Sequence, residues 1–136
     1  MAGYSGTPLP RKLGIKEGHR VAILNPPVNF QATLGELPDG AEVRTSARGA
    51  LDVVVCFLTA RSALERRFDA LKRAIFPDGG LWIAWPKRSS GIQTDLTEDV
   101  IREIALERGL VDNKVCAADQ TWSGLRLVHR VVDRGR

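Results

Sequence analysis

Leu51-Asp52-Val53-Val54-Val55-Cys56-Phe57-Leu58 is the stretch that decides the fold, because its apolar side chains follow one another without alternating with polar ones. A strand of this kind is buried on both faces, and such strands are typical of parallel sheets covered by helices on either side. The segments Arg20 to Leu24 and Leu81 to Trp85 have the same character, and proline follows each of them closely. The sequence therefore predicts an α/β protein built on a parallel sheet.

Helical spacing occupies the segments between these strands. The clearest case lies between residues 62 and 75, where Ser62-x-x-Glu65 has the spacing of a capping box and apolar residues then recur in steps of four and three. Asp95-x-x-Glu98 opens a second helix in the same way, and Gly109 ends it. A short helix is predicted from about Val28 to Leu37. Strands therefore alternate with helices, as right-handed crossover connections require.

The last two predicted strands, Lys114 to Ala118 and Leu125 to Val131, are joined too closely for a parallel crossover. We therefore predict a three-layer Rossmann-like sandwich, with a mostly parallel sheet of five or six strands and a C-terminal antiparallel hairpin. One short candidate strand, Ala41 to Thr45, conflicts with this scheme. The segment that follows it, Ser46 to Ala50, is much shorter than the roughly dozen residues of a usual parallel crossover.

Length and composition limit what the chain can be. Its 136 residues suffice for one domain, and 43% hydrophobic with 26% charged residues is an ordinary globular composition. We expect a flexible arm at residues 1–11, a single Rossmann-like domain at 12–132 and a basic tail at 133–136. No apolar run approaches the ~18 residues of a membrane span, and the start lacks the apolar region of a signal peptide. A cytoplasmic location without membrane contact is the resulting expectation.

The net charge of +4 resides at the two ends of the sequence. Residues 1–20 hold four basic side chains against one acidic one, and residues 130–136 hold three against one. The segment between these ends is close to neutral. This distribution disfavours a dedicated nucleic-acid-binding domain, and leaves weak, salt-sensitive association through the basic termini as an alternative.

Cysteine and histidine offer no metal site. Cys56 and Cys116 each lie in an apolar run, which predicts buried structural thiols, and no pair has the spacing of zinc or iron-sulfur ligands. His19 and His129 are far apart in sequence and belong to no motif. No catalytic residue is therefore assigned.

Two resemblances appear once the elements are in order. The strand Leu51 to Leu58, a helix, Pro77-Asp78-Gly79-Gly80, the strand Leu81 to Trp85, a second helix and a terminal hairpin resemble the C-terminal half of a class I S-adenosylmethionine-dependent methyltransferase. The amino-acid sequence itself resembles the uncharacterised bacterial family named domain of unknown function 3052, in segments that include Ala84-Trp85-Pro86-Lys87 and Thr94-Asp95-Leu96-Thr97-Glu98. The second resemblance implies no activity.

The chain differs from methyltransferases in the chemistry of the residues that follow its first strand. Their first strand ends in a glycine-rich loop that lets a cofactor approach the backbone, whereas this chain has Leu24-Asn25-Pro26-Pro27 there. Two prolines remove two backbone donors and add bulk. Glu42 lies at the wrong end of the next strand to hold a ribose. The expectation is therefore that no cofactor is bound and that S-adenosylmethionine is disfavoured.

Candidate site residues follow from the rule that ligands bind beyond the carboxyl ends of parallel strands. The residues expected at that edge are Asn25, Thr59, Arg61, Ser62, Trp85, Lys87, Arg88, Ser90 and Asp95. Their cations and backbone donors would suit an anionic small molecule, although a solvated loop with Asp95 as a helix cap is the simpler interpretation.

Trp122 is expected in a polar turn, where a large aromatic ring must fold back or meet a partner, including a second copy of the chain. The preferred interpretation is a non-catalytic binding or protein-interaction module with an unknown partner. The alternatives are a transferase or other enzyme that binds a nucleotide-like or anionic ligand at the strand ends, and weak nucleic-acid binding through the termini.

Overall fold

Six strands and four α-helices make up residues 7–135, the part of the chain that the computed structural model describes. The strands are β1 (Arg20–Leu24), β2 (Glu42–Arg44), β3 (Val53–Phe57), β4 (Gly80–Pro86), β5 (Leu110–Ala117) and β6 (Trp122–His129). The helices are α1 (Leu9–Lys12), α2 (Phe30–Leu34), α3 (Arg61–Ala74) and α4 (Glu98–Glu107). One sheet holds all six strands in the order β2-β1-β3-β4-β6-β5.

The first four strands of the chain are parallel, and the last two are antiparallel to their neighbours. β1 pairs in parallel with both β2 and β3, and β3 pairs in parallel with β4. β6 runs antiparallel to β4, and β5 forms the outer strand of the terminal hairpin. This arrangement confirms the predicted mostly parallel α/β sheet with an antiparallel C-terminal end.

Two apolar cores lie on opposite faces of the sheet, as the continuous apolar strands require. On one face α3 and α4 pack against alternate strand residues such as Val54, Cys56 and Ile83. On the other face α1 and α2 pack against the intervening ones, such as Val55 and Trp82. The helices and the sheet thus form the predicted three layers.

The short strand β2 resolves the conflict over its connection. β2 joins the edge of the sheet in parallel with β1, although only residues 45–52 separate it from β3. A three-residue strand advances only about 10 Å, whereas eight extended residues can span up to about 26 Å. The chain can therefore return to the start of β3 without a helix.

The helix ends differ from the predicted ones for local reasons. α2 covers five residues because Gly35, at φ 78°, ends it early. α3 begins at Arg61, so Ser62 lies inside its first turn and makes no capping hydrogen bond. α4 begins after Thr97, whose hydroxyl accepts a hydrogen bond from the backbone N–H of Val100 at 3.2 Å. The predicted capping boxes at Ser62 and Asp95 are therefore both wrong.

The N-terminal segment and the terminal hairpin also differ from expectation. α1 begins within the segment expected to be a flexible arm, and Leu9 and Pro10 are buried there. Residues 1–6 and 136 lie outside the described residues, so the arm as a whole stays a prediction. The hairpin strand β5 starts at Leu110, earlier than predicted, because a bulge between Asp112 and Lys114 interrupts its alternation. No helix within residues 7–135 is both long and apolar enough to cross a membrane.

Candidate functional site

The sheet reverses its winding direction between β1 and β3. From β1 the chain moves to β2 on one side, and from β3 it moves to β4 on the other. The two strands are parallel, with Leu24 beside Cys56, so their carboxyl ends lie at one edge. Asn25 follows β1 directly, and Thr59 lies two residues beyond the end of β3. Such a switch point is where open α/β sheets bind ligands.

The turn after β1 uses asparagine where glycine is usual. Asn25 and Asn29 both have left-handed backbone conformations, with φ of 54° and 67°. Asparagine tolerates this region better than other non-glycine residues. Between the two asparagines the chain passes through Pro26 and Pro27 and leaves the Val28 side chain 90% exposed. The turn is therefore tight, open to solvent and apolar at its tip.

A cavity of about 500 Å³ lies beside this turn. The turn, α2 and β2 form its walls, which include the side chains of Ile23, Pro26, Asn29, Phe30 and Val43. Its size is within the range of small-molecule sites, and its lining is mostly apolar, as in such sites. Asn29, Phe30 and Val43 were not among the site residues expected from the sequence. The asparagine that follows Pro-Pro-Val was the available signal.

The carboxyl end of β3 is covered by the segment that follows β4. The Thr94 hydroxyl donates to the backbone carbonyl of Thr59 at 2.6 Å. The Asp95 carboxylate accepts from the backbone N–H of Arg61 at 2.7 Å, and thereby caps α3 in place of a local side chain. The structure thus brings Thr59, Arg61 and Asp95 together, with Asp95 capping the helix at Arg61 and the neighbouring Thr94 bound to Thr59. Ser62 is exposed on the first turn of the same helix.

The basic loop after β4 is held by its own hydrogen bonds. The Lys87 ammonium donates to the backbone carbonyl of Asp119 at 2.9 Å, which directs it towards the hairpin turn. The Ser90 hydroxyl donates to the Lys87 carbonyl at 2.7 Å and accepts from the Ile92 N–H at 3.1 Å. Arg88 is exposed and lines, with Trp85, a separate cavity of about 480 Å³. Arg88 therefore faces a cavity, whereas the Lys87 ammonium is held by a backbone carbonyl, and an anionic ligand at this loop stays a prediction.

Trp122 folds back onto the protein. Its ring packs edge-on against Phe57 at 5.2 Å between centroids, and Phe57 packs in the same manner against Phe30 at 4.8 Å. The three rings stiffen the layer beneath the turn after β1. A contact between Trp122 and a partner stays a prediction.

The two thiols are poor nucleophiles in the folded protein. Burial raises the pKa of Cys56 to about 11, and it also raises the pKa of the half-buried Cys116. Both are free thiols that remain protonated near neutral pH. Within residues 7–135, no group of three or more His, Cys, Asp or Glu side chains is placed to hold a metal ion.

Comparison with known proteins identifies the fold. The chain is similar in structure to an S-adenosylmethionine-dependent methyltransferase from Aquifex aeolicus, with a TM-score of 0.59, 17% sequence identity and coverage of 86% of this chain and 85% of that one. It is also similar to magnesium protoporphyrin IX methyltransferase from Synechocystis PCC 6803 with bound S-adenosylmethionine, with a TM-score of 0.53, 15% identity and coverage of 84% and 71%. The chain therefore has a methyltransferase-like Rossmann fold.

Comparison of sequences adds no family. No protein-family model matches the chain, and no curated protein matches it. The resemblance to domain of unknown function 3052 is accordingly not confirmed.

The structural neighbours correct the expectation about cofactors. No cofactor was expected and S-adenosylmethionine was disfavoured, whereas both neighbours are methyltransferases and the Synechocystis enzyme was solved with S-adenosylmethionine bound. The expectation rested on the bulk and the missing donors of Pro26 and Pro27. It overlooked that left-handed Asn25 and Asn29 make a tight turn without glycine and leave space beside it.

Proposed function

We propose that this protein is a methyltransferase-like domain that binds S-adenosylmethionine at the carboxyl ends of β1 and β3. The observation that carries the proposal is the switch point between these strands, which coincides with an open turn and an apolar cavity. The fold, which it shares with S-adenosylmethionine-dependent methyltransferases over 86% of its length, supports the same assignment. The cofactor would supply an electrophilic methyl group.

The residues around the turn fit an adenosyl group in shape and polarity. The cavity is walled by Ile23, Pro26, Phe30 and Val43, which suits a flat and largely apolar ring system. The Asn29 amide at the cavity edge can donate to or accept from hydroxyl groups of a ribose. These side chains would bind and orient the nucleoside, and the aromatic layer beneath the turn would keep them in place.

The hydrogen-bonded cover over β3 directs a ligand towards β1 and β2. The Thr59 carbonyl and the Asp95 carboxylate already have protein partners. A ligand that used them would have to break these bonds without a full replacement, which is costly for polar groups. The exposed Asn25 and the neighbouring apolar cavity carry no comparable cost.

The sequence also predicts a non-catalytic binding or protein-interaction module, and cofactor binding alone does not test that prediction. If the domain only binds the cofactor, S-adenosylhomocysteine does not accumulate in its presence beyond the rate in buffer. If it transfers the methyl group, accumulation depends on an added acceptor. Product formation with candidate acceptors therefore tests this expectation separately from cofactor binding.

Isothermal titration of the full chain with S-adenosylmethionine and S-adenosylhomocysteine tests the proposal. We expect saturable binding of both, and competition between them. A substitution that fills the cavity, Val43→Trp, should weaken binding by at least about tenfold, because overfilling a packed site costs more than 1 kcal/mol.

Val115→Trp is the matched control. Val43 is 45% exposed on the edge strand β2, and Val115 is 53% exposed on the opposite edge strand β5. The control should bind the cofactor as the original chain does. Absence of saturable binding, or equal weakening by both substitutions, would overturn the proposal.

A further inference from the structure

A second cavity, of about 420 Å³, lies at the opposite edge of the sheet. It is lined by residues near the amino ends of the parallel strands, including His19 before β1 and Asp52 before β3. Lysine and arginine side chains outnumber carboxylates in its lining by four to two; the six residues are Lys12, Lys16, Lys114, Arg126, Asp52 and Asp78. This edge is far from the turn after β1, so the cavity is separate from the proposed cofactor site.

The fold brings these cations together from distant parts of the sequence. Lys12 ends α1 and Lys16 follows it, while Lys114 and Arg126 belong to the terminal hairpin. Trp82 of β4, which pairs with Arg126 of β6, ties the N-terminal segment to the sheet because its indole N–H donates to the backbone carbonyl of Leu13 at 3.0 Å. The basic N-terminal segment thus contributes to a concave surface.

Arg126 is built into this surface. Its guanidinium lies over the start of β4, where a side chain on Gly80 would place its Cβ 2.5 Å from Nε of Arg126. The guanidinium is half-buried and donates to the Asn113 amide oxygen at 3.3 Å. Burial lowers the pKa of Arg126, and the nearby Arg134 lowers it further. A partly desolvated cation beside a second cation gains from an anion.

The remaining polar groups leave the positive charge in excess. Asp52 accepts from the backbone N–H of Arg20 at 2.8 Å, and its carboxylate lies 3.8 Å from Nε of the same residue. The His19 ring accepts from the Lys16 N–H at 3.1 Å through Nδ1. Asp78 is exposed at the rim of the cavity.

We propose that the cavity between α1 and the terminal hairpin binds a small phosphorylated anion, with Arg126 and Lys114 as its main contacts and Lys12 and Lys16 at its edge. Phosphate oxygens accept paired hydrogen bonds from a guanidinium, and lysines add point charges around them. A small anion fits better than a duplex nucleic acid, because Arg126 lies in a recess that a terminal phosphate enters more deeply than a phosphodiester.

Titration of the full chain with inorganic pyrophosphate at about 0.15 M salt tests this site. We expect saturable binding that Arg126→Gln weakens by about tenfold, the usual effect of removing one charge-assisted hydrogen bond. Lys114→Gln, at an exposed residue, should weaken binding in the same direction. Gly80→Ala keeps the positive charge of Arg126 but displaces its guanidinium, so this variant tests whether the position of the guanidinium matters apart from its charge.

Arg66→Gln is the control, because Arg66 is exposed on α3, on the other face of the sheet, and the charge change is identical. It should leave pyrophosphate affinity within about twofold of the original. Circular dichroism establishes that each variant is folded. S-adenosylmethionine affinity should be the same in Arg126→Gln and in the original chain, so the two proposals can fail independently.

Three results would overturn the proposal. The first is no saturable binding of pyrophosphate. The second is equal loss of affinity in Arg66→Gln and Arg126→Gln, which would indicate general charge attraction. The third is displacement of pyrophosphate by duplex DNA at a far lower phosphate concentration, which would assign the surface to nucleic acid.

Discussion

Replacing Asp95 with alanine should destabilise the protein, because Asp95 caps a helix whose first residue, Arg61, lies 34 positions earlier in the sequence. The Asp95 carboxylate accepts from the first backbone N–H of α3, that of Arg61, at 2.7 Å. Ala60 at the N-cap position has no side-chain oxygen, and the first turn of α3 has no acidic residue. Asp95 therefore supplies both the cap and the negative charge that a helix N-terminus favours.

The expected cost follows from these two contributions. Loss of a capping acceptor costs about 1 kcal/mol, and loss of the favourable charge at an exposed helix end costs about 0.5 kcal/mol. The sum of about 1.5 kcal/mol corresponds to a fall in Tm of roughly 6 °C for a domain of this size. Asp95→Asn keeps the acceptor and loses the charge, so it should cost only about 0.5 kcal/mol.

Urea unfolding followed by circular dichroism measures both variants. With a slope of about 1.5 kcal/mol per molar, the midpoint should fall by about 1 M in Asp95→Ala. Asp69→Ala, on the exposed side of α3, is the control and should be neutral or slightly stabilising, because alanine is the better helix former. A loss below about 0.3 kcal/mol in Asp95→Ala, or an equal loss in Asp95→Asn, would refute the capping interpretation.

Three further predictions concern Cys56, Trp82 and Asn29. Burial raises the pKa of Cys56 from 9.0 to about 11, so between these pH values the folded protein keeps a proton that the unfolded chain loses. The free energy of unfolding should therefore fall by about 2–3 kcal/mol between pH 9 and 11, relative to that of Cys56→Ala. Parallel pH profiles of the two proteins would contradict this. Trp82→Phe removes the buried hydrogen bond to the Leu13 carbonyl and should cost about 1–3 kcal/mol in denaturant unfolding, whereas a cost no greater than that of Trp85→Phe would show the bond to be unimportant. Asn29, at φ 67°, should accept glycine with little change in Tm, while Asn29→Val should cost about 1–2 kcal/mol; equal stability of the two variants would contradict a strained turn.

Part of the candidate site could be predicted because it depends on strand ends. The segment that leaves a buried parallel strand is recognisable in sequence, and all such segments meet at one edge. Asn25 and Thr59 were located in this way. Their partners were harder to identify, because Val43 faces the turn after β1 only through the pairing of β2 with β1.

The helix-capping predictions failed because hydrogen bonds were assigned only between residues close in sequence. Asp95 was expected to cap the helix that follows it, and it caps α3 instead. The Lys87 ammonium likewise binds the Asp119 carbonyl, a partner that the neighbouring sequence did not indicate, and its role in binding a ligand stays a prediction. A polar side chain forms hydrogen bonds with any suitable donor or acceptor within reach, and most of these groups belong to other segments of the chain.

The order of apolar and polar residues by itself determined the layered α/β architecture, because side-chain periodicity depends on local backbone geometry and burial on side-chain chemistry. Only the tertiary structure decided where charges and open spaces lie. Lys12 and Arg126 are 114 positions apart, yet they line one cavity because α1 docks against the sheet through Trp82. Such proximity depends on how whole elements pack, and no local pattern in the sequence encodes it.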